Sequence, residues 1–259
     1  MFLGLVQDLS DNQIRPLLQL NKHWALTKNN DHISLLSNVC PHQNSLLAKK
    51  VCSDVMVCPY HGLRFDSMGT GLDNSYQLET KPVYTVGNML FSEQIEFDYP
   101  IDLSFMQLVE CRVDSLKTSP EIFIDVFLDI EHIPVVHRGV YDKIGITDVS
   151  TIRTEFFDCG SHQFVQDQDA VWTTIYPNTT IEWQQGALFV NVAVATATGT
   201  DVVIYKYRDS RISDAEWVLN ETVWEEAWAQ DKELCENIVA VPVNNLSDLK
   251  LHHLNAIKK

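Results

Sequence analysis

Cys40-x-His42, a gap of fifteen residues and then Cys58-x-x-His61 constrain this 259-residue chain more than any other feature. The two segments, NVCPHQN and VCPYHGLRFD, each supply one thiolate and one imidazole. A zinc finger groups its cysteines together and its histidines together. Interleaved halves suit two metals with different ligands: Cys40 and Cys58 on one iron, His42 and His61 on the other. Imidazoles in place of two thiolates raise the potential of a [2Fe–2S] centre. Pro41, Pro59 and Gly62 fit loops that turn sharply while backbone amides approach the cluster sulfurs. A zinc site, or four unrelated loop residues, are the competing readings.

The flanking pattern predicts a two-domain α+β protein. Through the first hundred residues, HWALTK, HISLL, VMVC and MLFSEQIEF cluster or alternate apolar residues at strand length, and Gly62, Gly69, Gly71 and Gly87 punctuate them. DYPID breaks the pattern, so an all-β domain is expected over 1–98 and a second over 99–259. In the second, PEIFIDVFLDIEHIPVVH is expected to be helical until Pro134 breaks it. IEWQQ, ALFVNVAVAT and VVIYKYR, with a TGTD turn between the last two, predict an antiparallel sheet. One long helix follows from Ser213 to about Val239, opened by a capping box of Ser213 with Glu216.

Nineteen basic against thirty-five acidic residues give a net charge of −16, which argues against nucleic acid or an anionic membrane as partner. No apolar run is long enough to span a bilayer, and MFLGLVQDLS lacks the basic start of a secretory signal, so a cytoplasmic location is expected. Six cysteines are too few for a disulfide scaffold, and they are expected as thiols or metal ligands. Cys52 is read as a buried thiol.

The segment resembles the Rieske domain of the ring-hydroxylating non-haem iron oxygenases, in which C-P-x-H and C-P-Y-H-G-x-x-F-D recur. It is unlike the respiratory Rieske proteins, which carry an extra cysteine in each loop; here Tyr60 stands at one of those places. Gln43-Asn44 replaces the Arg-Gly usual after the first histidine, so hydrogen bonding in that loop is expected to differ.

A cluster alone only passes electrons, and the second domain holds material for another metal. FLDIEHIPVVH contains Asp129-x-x-His132-x4-His137. On a helix Asp129 and His132 share a face, and the break at Pro134 lets both imidazoles converge. On the last helix Trp217, Trp224, Asp231 and Ile238 recur at sevens, with Trp228 and Cys235 alongside. An ionised Asp231 on this apolar face needs a positive partner. The other acids, Glu221, Glu225, Glu226, Glu233 and Glu236, lie well around the wheel. A buried arginine or lysine is one partner for Asp231. The other is Fe(II), held by a two-histidine, one-carboxylate triad of His132, His137 and Asp231.

D-x-x-H-x4-H with a distant aspartate, here in AQDKELCE, is also the pattern of the oxygenase family. The resemblance implies that Asp129 hydrogen-bonds a cluster histidine of one subunit to an iron-bound histidine of its neighbour, and that the assembly is a homotrimer. It implies a ferredoxin or flavin reductase as electron donor, and O2 with a small, aromatic organic molecule as substrates. Asp125 stands where the family often has Asn, and TSPEIF replaces its Trp-Lys. A Rieske electron carrier or redox sensor without oxygen chemistry is the alternative. Phe156, Phe164, Trp172, Trp183, Phe189 and Tyr205 are left between core and pocket lining.

Overall fold

The computed structural model describes residues 1–147, 149, 152–165 and 168–238. The chain divides into two compact units, Met1–Ile95 and Glu96–Lys259. No helix among the described residues is long and apolar enough to cross a membrane.

The first unit is built from short antiparallel strands. β1 (Phe2–Leu5), β2 (Ile14–Pro16), β3 (Trp24–Asn29), β4 (His32–Ser37), β5 (Val55–Val57), β6 (Arg64–Asp66), β7 (Thr80–Pro82), β8 (Tyr84–Val86) and β9 (Met89–Phe91) follow in order. They form a four-stranded sheet β2-β3-β4-β7, a three-stranded sheet β1-β9-β8 and the hairpin β5-β6. Strand period decides where its core sits. Leu26 and Leu35 face one apolar cluster, while their neighbours Ala25 and Leu36 face another that contains Cys40, Cys58, Met56 and Phe65. The ligand-bearing loops are thus rooted in apolar packing. Only Met89–Phe91 of MLFSEQIEF is strand; Ser92 then donates its amide to the Met1 carbonyl and regular pairing stops.

The second unit is a sheet covered by helices. β10 (Met106–Leu116) precedes α1 (Pro120–Leu128) and the single-turn α2 (Ile133–Val136). β11 (Ile152–Phe157), β12 (Gly160–Val165), β13 (Ala170–Ile175), β14 (Thr179–Gln184), β15 (Ala187–Thr196), β16 (Gly199–Asp209) and α3 (Asp214–Asn237) complete it. The seven strands are antiparallel in the order β10-β16-β15-β14-β13-β12-β11. β10 is an edge strand that the sequence reading did not identify, because exposed Val109 and Val113 blur its alternation. The β15–β16 turn falls on Ala197-Thr198, so Gly199 already pairs with Thr196.

Sequence accounts for the ends of both long helices. Ser119 accepts from the Ile122 amide and Pro120 opens α1, while Ser213 and Glu216 cap α3 reciprocally. α3 ends at Asn237, and Val239 lies outside the described residues. Its Trp224 stacks on Phe189 of β15 at 4.8 Å and on Trp228 at 5.6 Å, pinning the helix to the sheet.

Candidate metal centres

The two cysteine–histidine loops repeat one hydrogen-bond scheme. The Cys40 carbonyl accepts from the Asn44 amide, and the Cys40 amide donates to Ser45 O. The Cys58 carbonyl accepts from Gly62, and the Cys58 amide donates to Leu63 O. This scheme demands a left-handed residue four positions after each cysteine, and Asn44 (φ 53°) and Gly62 (φ 73°) occupy those places. Asparagine is among the non-glycine residues that tolerate this region best, so Asn44 does the backbone work of the glycine usual in the family.

The loops bring the ligand types together in pairs. His42 Nδ1 lies 3.2 Å from His61 Nδ1, and both rings are exposed. Cys40 and Cys58 are buried, and their thiols hydrogen-bond to each other. Burial pushes both thiols up, but at Cys58 the amides of Tyr60 and His61 outweigh it and hold the thiol low. The amides of His42 and Gln43 oppose burial at Cys40 without overcoming it, so that thiol stays raised. Amides aimed at both sulfurs, with two imidazoles converging beside them, fit a cluster that has one thiolate-bound and one imidazole-bound iron. Asn38, fully buried, supports the first loop: its Nδ2 donates to Lys22 O and Ala48 O at 2.7 Å, and its Oδ1 accepts from the Ala48 amide.

A test of the loop scheme follows from the glycine. A Cβ at position 62 would meet nothing within 4 Å, so Gly62→Ala carries only the left-handed backbone penalty, about 1 kcal/mol. Asn44→Gly is expected to stay within about 0.5 kcal/mol of wild type, since glycine fits the same region. Denaturant unfolding followed by loss of the cluster's visible absorption measures both, and equal costs at the two positions would refute the shared scheme.

In the second unit, His132, His137 and Asp231 converge, with one potential ligand atom from each lying within 4.8 Å of the others. His132 Nε2 is 3.1 Å from His137 Nε2, and Asp231 Oδ1 lies 3.3 and 3.0 Å from the two nitrogens. The helix breaks earlier than expected. α1 stops at Asp129 (ψ 73°), a single turn of 3-10 helix carries His132, and Pro134 lies in the first turn of α2. Asp129 therefore shares no helical face with His132. Its carboxylate is exposed, and its backbone carbonyl accepts from His132 Nδ1.

The nitrogens turned away from the centre are both engaged. His132 Nδ1 donates to Asp129 O and His137 Nδ1 donates to Gln230 Oε1 at 2.8 Å, which leaves both Nε2 lone pairs facing Asp231. Burial opposes charge on Asp231, yet the two imidazoles hold its carboxyl below the usual range. Burial likewise opposes charge on His137, and Asp231 more than offsets it, leaving the imidazole raised. Even so, Asp231 Oδ1 is buried without a hydrogen bond of acceptable geometry. No arginine or lysine among the described residues pairs with it. Three convergent lone-pair donors around an orphaned carboxylate oxygen fit a divalent transition ion.

Gln230 was not singled out in the sequence, although it stands beside Asp231 in AQDKELCE. Gln230→Leu removes the acceptor that orients His137, and the mononuclear site is expected to bind iron about 10- to 100-fold more weakly. Metal titration of the iron-stripped site reads this, and unchanged affinity would reduce Gln230 to a packing residue.

Sequence reading also passed over Glu182 and Tyr141. Glu182 lies inward in β14 at 3% exposure and accepts from Tyr141 Oη at 2.7 Å. Burial pushes its carboxyl up to about 7, opposed by the Tyr141 hydrogen bond. The Tyr141 ring centroid is 5.6 Å from that of His137, and both side chains line a cavity of about 190 Å³. A charged residue inside the otherwise uncharged strand TTIEWQ was the available signal. Among the aromatic residues left open, Phe189 and Tyr205 are core, while Phe156 is exposed.

Residues 1–83 match the description of the Rieske [2Fe-2S] domain. No curated protein matches the chain by sequence. Among solved structures, the quaternary ammonium Rieske monooxygenase CntA in complex with an inhibitor is similar at a TM-score of 0.77 and 15% identity, over 91% of this chain and 76% of that one. CntA with L-carnitine gives 0.74 and 14%, over 99% and 88%. NdmA of Pseudomonas putida CBB5 gives 0.54 and 15%, over 91% and 78%. The chain thus carries a Rieske domain, which implies a [2Fe–2S] cluster, and it has the fold of the Rieske oxygenases.

Proposed function

We propose that this chain, a Rieske domain joined to a second unit in the Rieske-oxygenase fold, is a terminal oxygenase component. It takes electrons from a separate ferredoxin or flavin reductase and uses O2 to hydroxylate or oxidatively demethylate a small organic molecule. The observation that carries the reading is the convergence of His132 Nε2, His137 Nε2 and Asp231 Oδ1 around an orphaned buried carboxylate oxygen. An electron carrier needs the first unit alone and has no use for such a centre.

Cys40, Cys58, His42 and His61 hold the cluster in this proposal, and His132, His137 and Asp231 hold the mononuclear Fe(II). When bound, that iron supplies O2 activation at positions the three ligands leave open. The chain's own residues set the stage. Gln230 and the Asp129 carbonyl keep each imidazole in the tautomer that presents Nε2, and Asp231 supplies negative charge that favours a dication. The exposed edges of His42 and His61 suit electron exchange across a protein surface. Electrons crossing between subunits would make a closed ring of three the natural assembly, with the exposed Asp129 carboxylate as the acceptor at the crossing. Six free cysteines suit a reducing, cytoplasmic compartment. The quaternary ammonium compounds named for CntA weigh against the aromatic substrates that the resemblance suggested.

Iron analysis of the purified protein is expected to give about three irons per chain, two of them in the cluster. With a reductase supplied, label from ¹⁸O2 appears in product. Two irons per chain and no substrate-dependent oxygen uptake would leave an electron carrier.

A further inference from the structure

We propose that Glu182 anchors a positively charged nitrogen of the substrate, so that the molecule oxidised beside His132, His137 and Asp231 is a small alkylammonium ion; this rests on the oxygenase reading. Register places the anchor. Trp172 of β13, Glu182 of β14 and Phe189 of β15 are successive cross-strand partners, so their side chains stand in one row on one face of the sheet. That face meets the helices, since Phe189 stacks on Trp224 of α3 and Glu182 accepts from Tyr141. The Tyr141 ring lies 6.2 Å from that of Trp172, edge to face. A carboxylate is therefore set among three aromatic rings, each less than 6% exposed.

Among the described residues, no lysine or arginine pairs with this carboxylate. The next residue in the row, Lys206 of β16, is committed to Glu110, Glu221 and Glu225. Tyr141, which donates to Glu182, has its ring 5.6 Å from that of His137, so one side chain separates the carboxylate from the candidate iron site. In the neighbouring row on the same face, the fully buried Asn191 donates through Nδ2 to Thr180 Oγ1 and leaves its Oδ1 without a donor. A buried carboxylate with one neutral donor and an amide oxygen with none, walled by aromatic faces, suit a cation. An anion would meet the like charge of Glu182, and a neutral hydrocarbon would leave the Asn191 amide oxygen unmet. Tyr141, the donor to Glu182, lines a cavity of about 190 Å³ together with His137; the exposed Arg138 and Asp142 on its lining carry opposite charges. The net charge of −16 further favours arrival of a cation.

The test compares choline with its neutral isostere 3,3-dimethylbutan-1-ol by calorimetry on the iron-loaded protein. Choline is expected to bind at least about tenfold more tightly, and in Glu182→Gln, which keeps an acceptor for Tyr141 Oη, the ratio is expected to fall to about one. Equal binding of the two probes by wild type, or a ratio retained by Glu182→Gln, overturns the proposal. The wild-type comparison decides even where the variant does not fold. Oxygen uptake with a reductase separates the two readings. Choline that binds through Glu182 but stimulates no uptake sinks the oxygenase assignment and leaves the cation site standing. Uptake driven by a neutral arene, with choline inert, does the reverse.

Discussion

Asp231→Ala is expected to abolish oxygen chemistry while leaving the cluster untouched. Iron should fall from about three to about two per chain, the visible absorption of the [2Fe–2S] centre should persist, and substrate-dependent oxygen uptake should drop by at least about a thousandfold. Two imidazoles cannot supply the charge that a carboxylate lends a divalent ion, and the oxygen removed is the one that lies 3.0 and 3.3 Å from their Nε2 atoms. The stability change on adding Fe(II) separates a metal ligand from a structural ion pair. A carboxylate that exists to neutralise a protonated His137 would cost about 3–5 kcal/mol on removal from the metal-free protein. Without a metal, His137 compensates the buried carboxylate in part, so metal-free Asp231→Ala loses the stability of that contact. Added Fe(II) should stabilise wild type alone. Equal stabilisation of wild type and variant by Fe(II) would make the histidine–aspartate contact a salt bridge only and remove the basis for an iron site.

This centre shows what the sequence exposed and what it hid. Asp231 was legible because a carboxylate stood in an aromatic helical stripe where burial must be compensated. The cluster loops were legible because their chemistry lies in short segments, each closed by its own turn. What the residues could not show was anything dependent on register between distant strands. Glu182 is inward only because β14 pairs in the phase that sets it between Trp172 and Phe189, and a shift of one residue would have put it outside. The helix break was misplaced for a related reason. Pro134 is tolerated in the first turn of a new helix, so the chain ends α1 at Asp129, which frees the carbonyl that His132 uses. The acids of α3 were read as lying away from the apolar stripe. Glu221 and Glu225 do, yet they are held by cations projecting from the sheet.

That last pairing supports the other large prediction. Lys206→Met is expected to destabilise the protein by about 3 kcal/mol. Lys206 is 3% exposed in its side chain and pairs with Glu110 at 2.8 Å, with Glu221 at 3.0 Å and with Glu225. Arg112 shares Glu225 through two parallel hydrogen bonds, and Trp228 Nε1 donates to Asp114 at 2.7 Å, so the network ties β10 and β16 to α3. Removing the buried cation leaves three carboxylates in mutual repulsion. The cost falls at the lower end of the usual range because those carboxylates are about a third exposed and can rehydrate. The signs of both titrations are defined. Burial alone would lower the Lys206 amine, but the three glutamates raise it, so its contribution is complete at neutral pH and is lost only as pH climbs through the raised value. Burial alone would raise Glu225, but Arg112 and Lys206 hold it low, so its contribution disappears as pH falls through that depressed value. The gap between wild type and Lys206→Met, measured by urea unfolding with tryptophan fluorescence, should therefore be full at pH 7 and close on acidification below about 4.5. Glu225 stands less than two turns before Asp231 on α3. A helix loosened at the network should hold Gln230 and Asp231 less firmly, and mononuclear iron occupancy should fall along with stability. A variant that loses less than about 0.5 kcal/mol, or that loses stability while holding its iron fully, would show that the network does not position the metal centre.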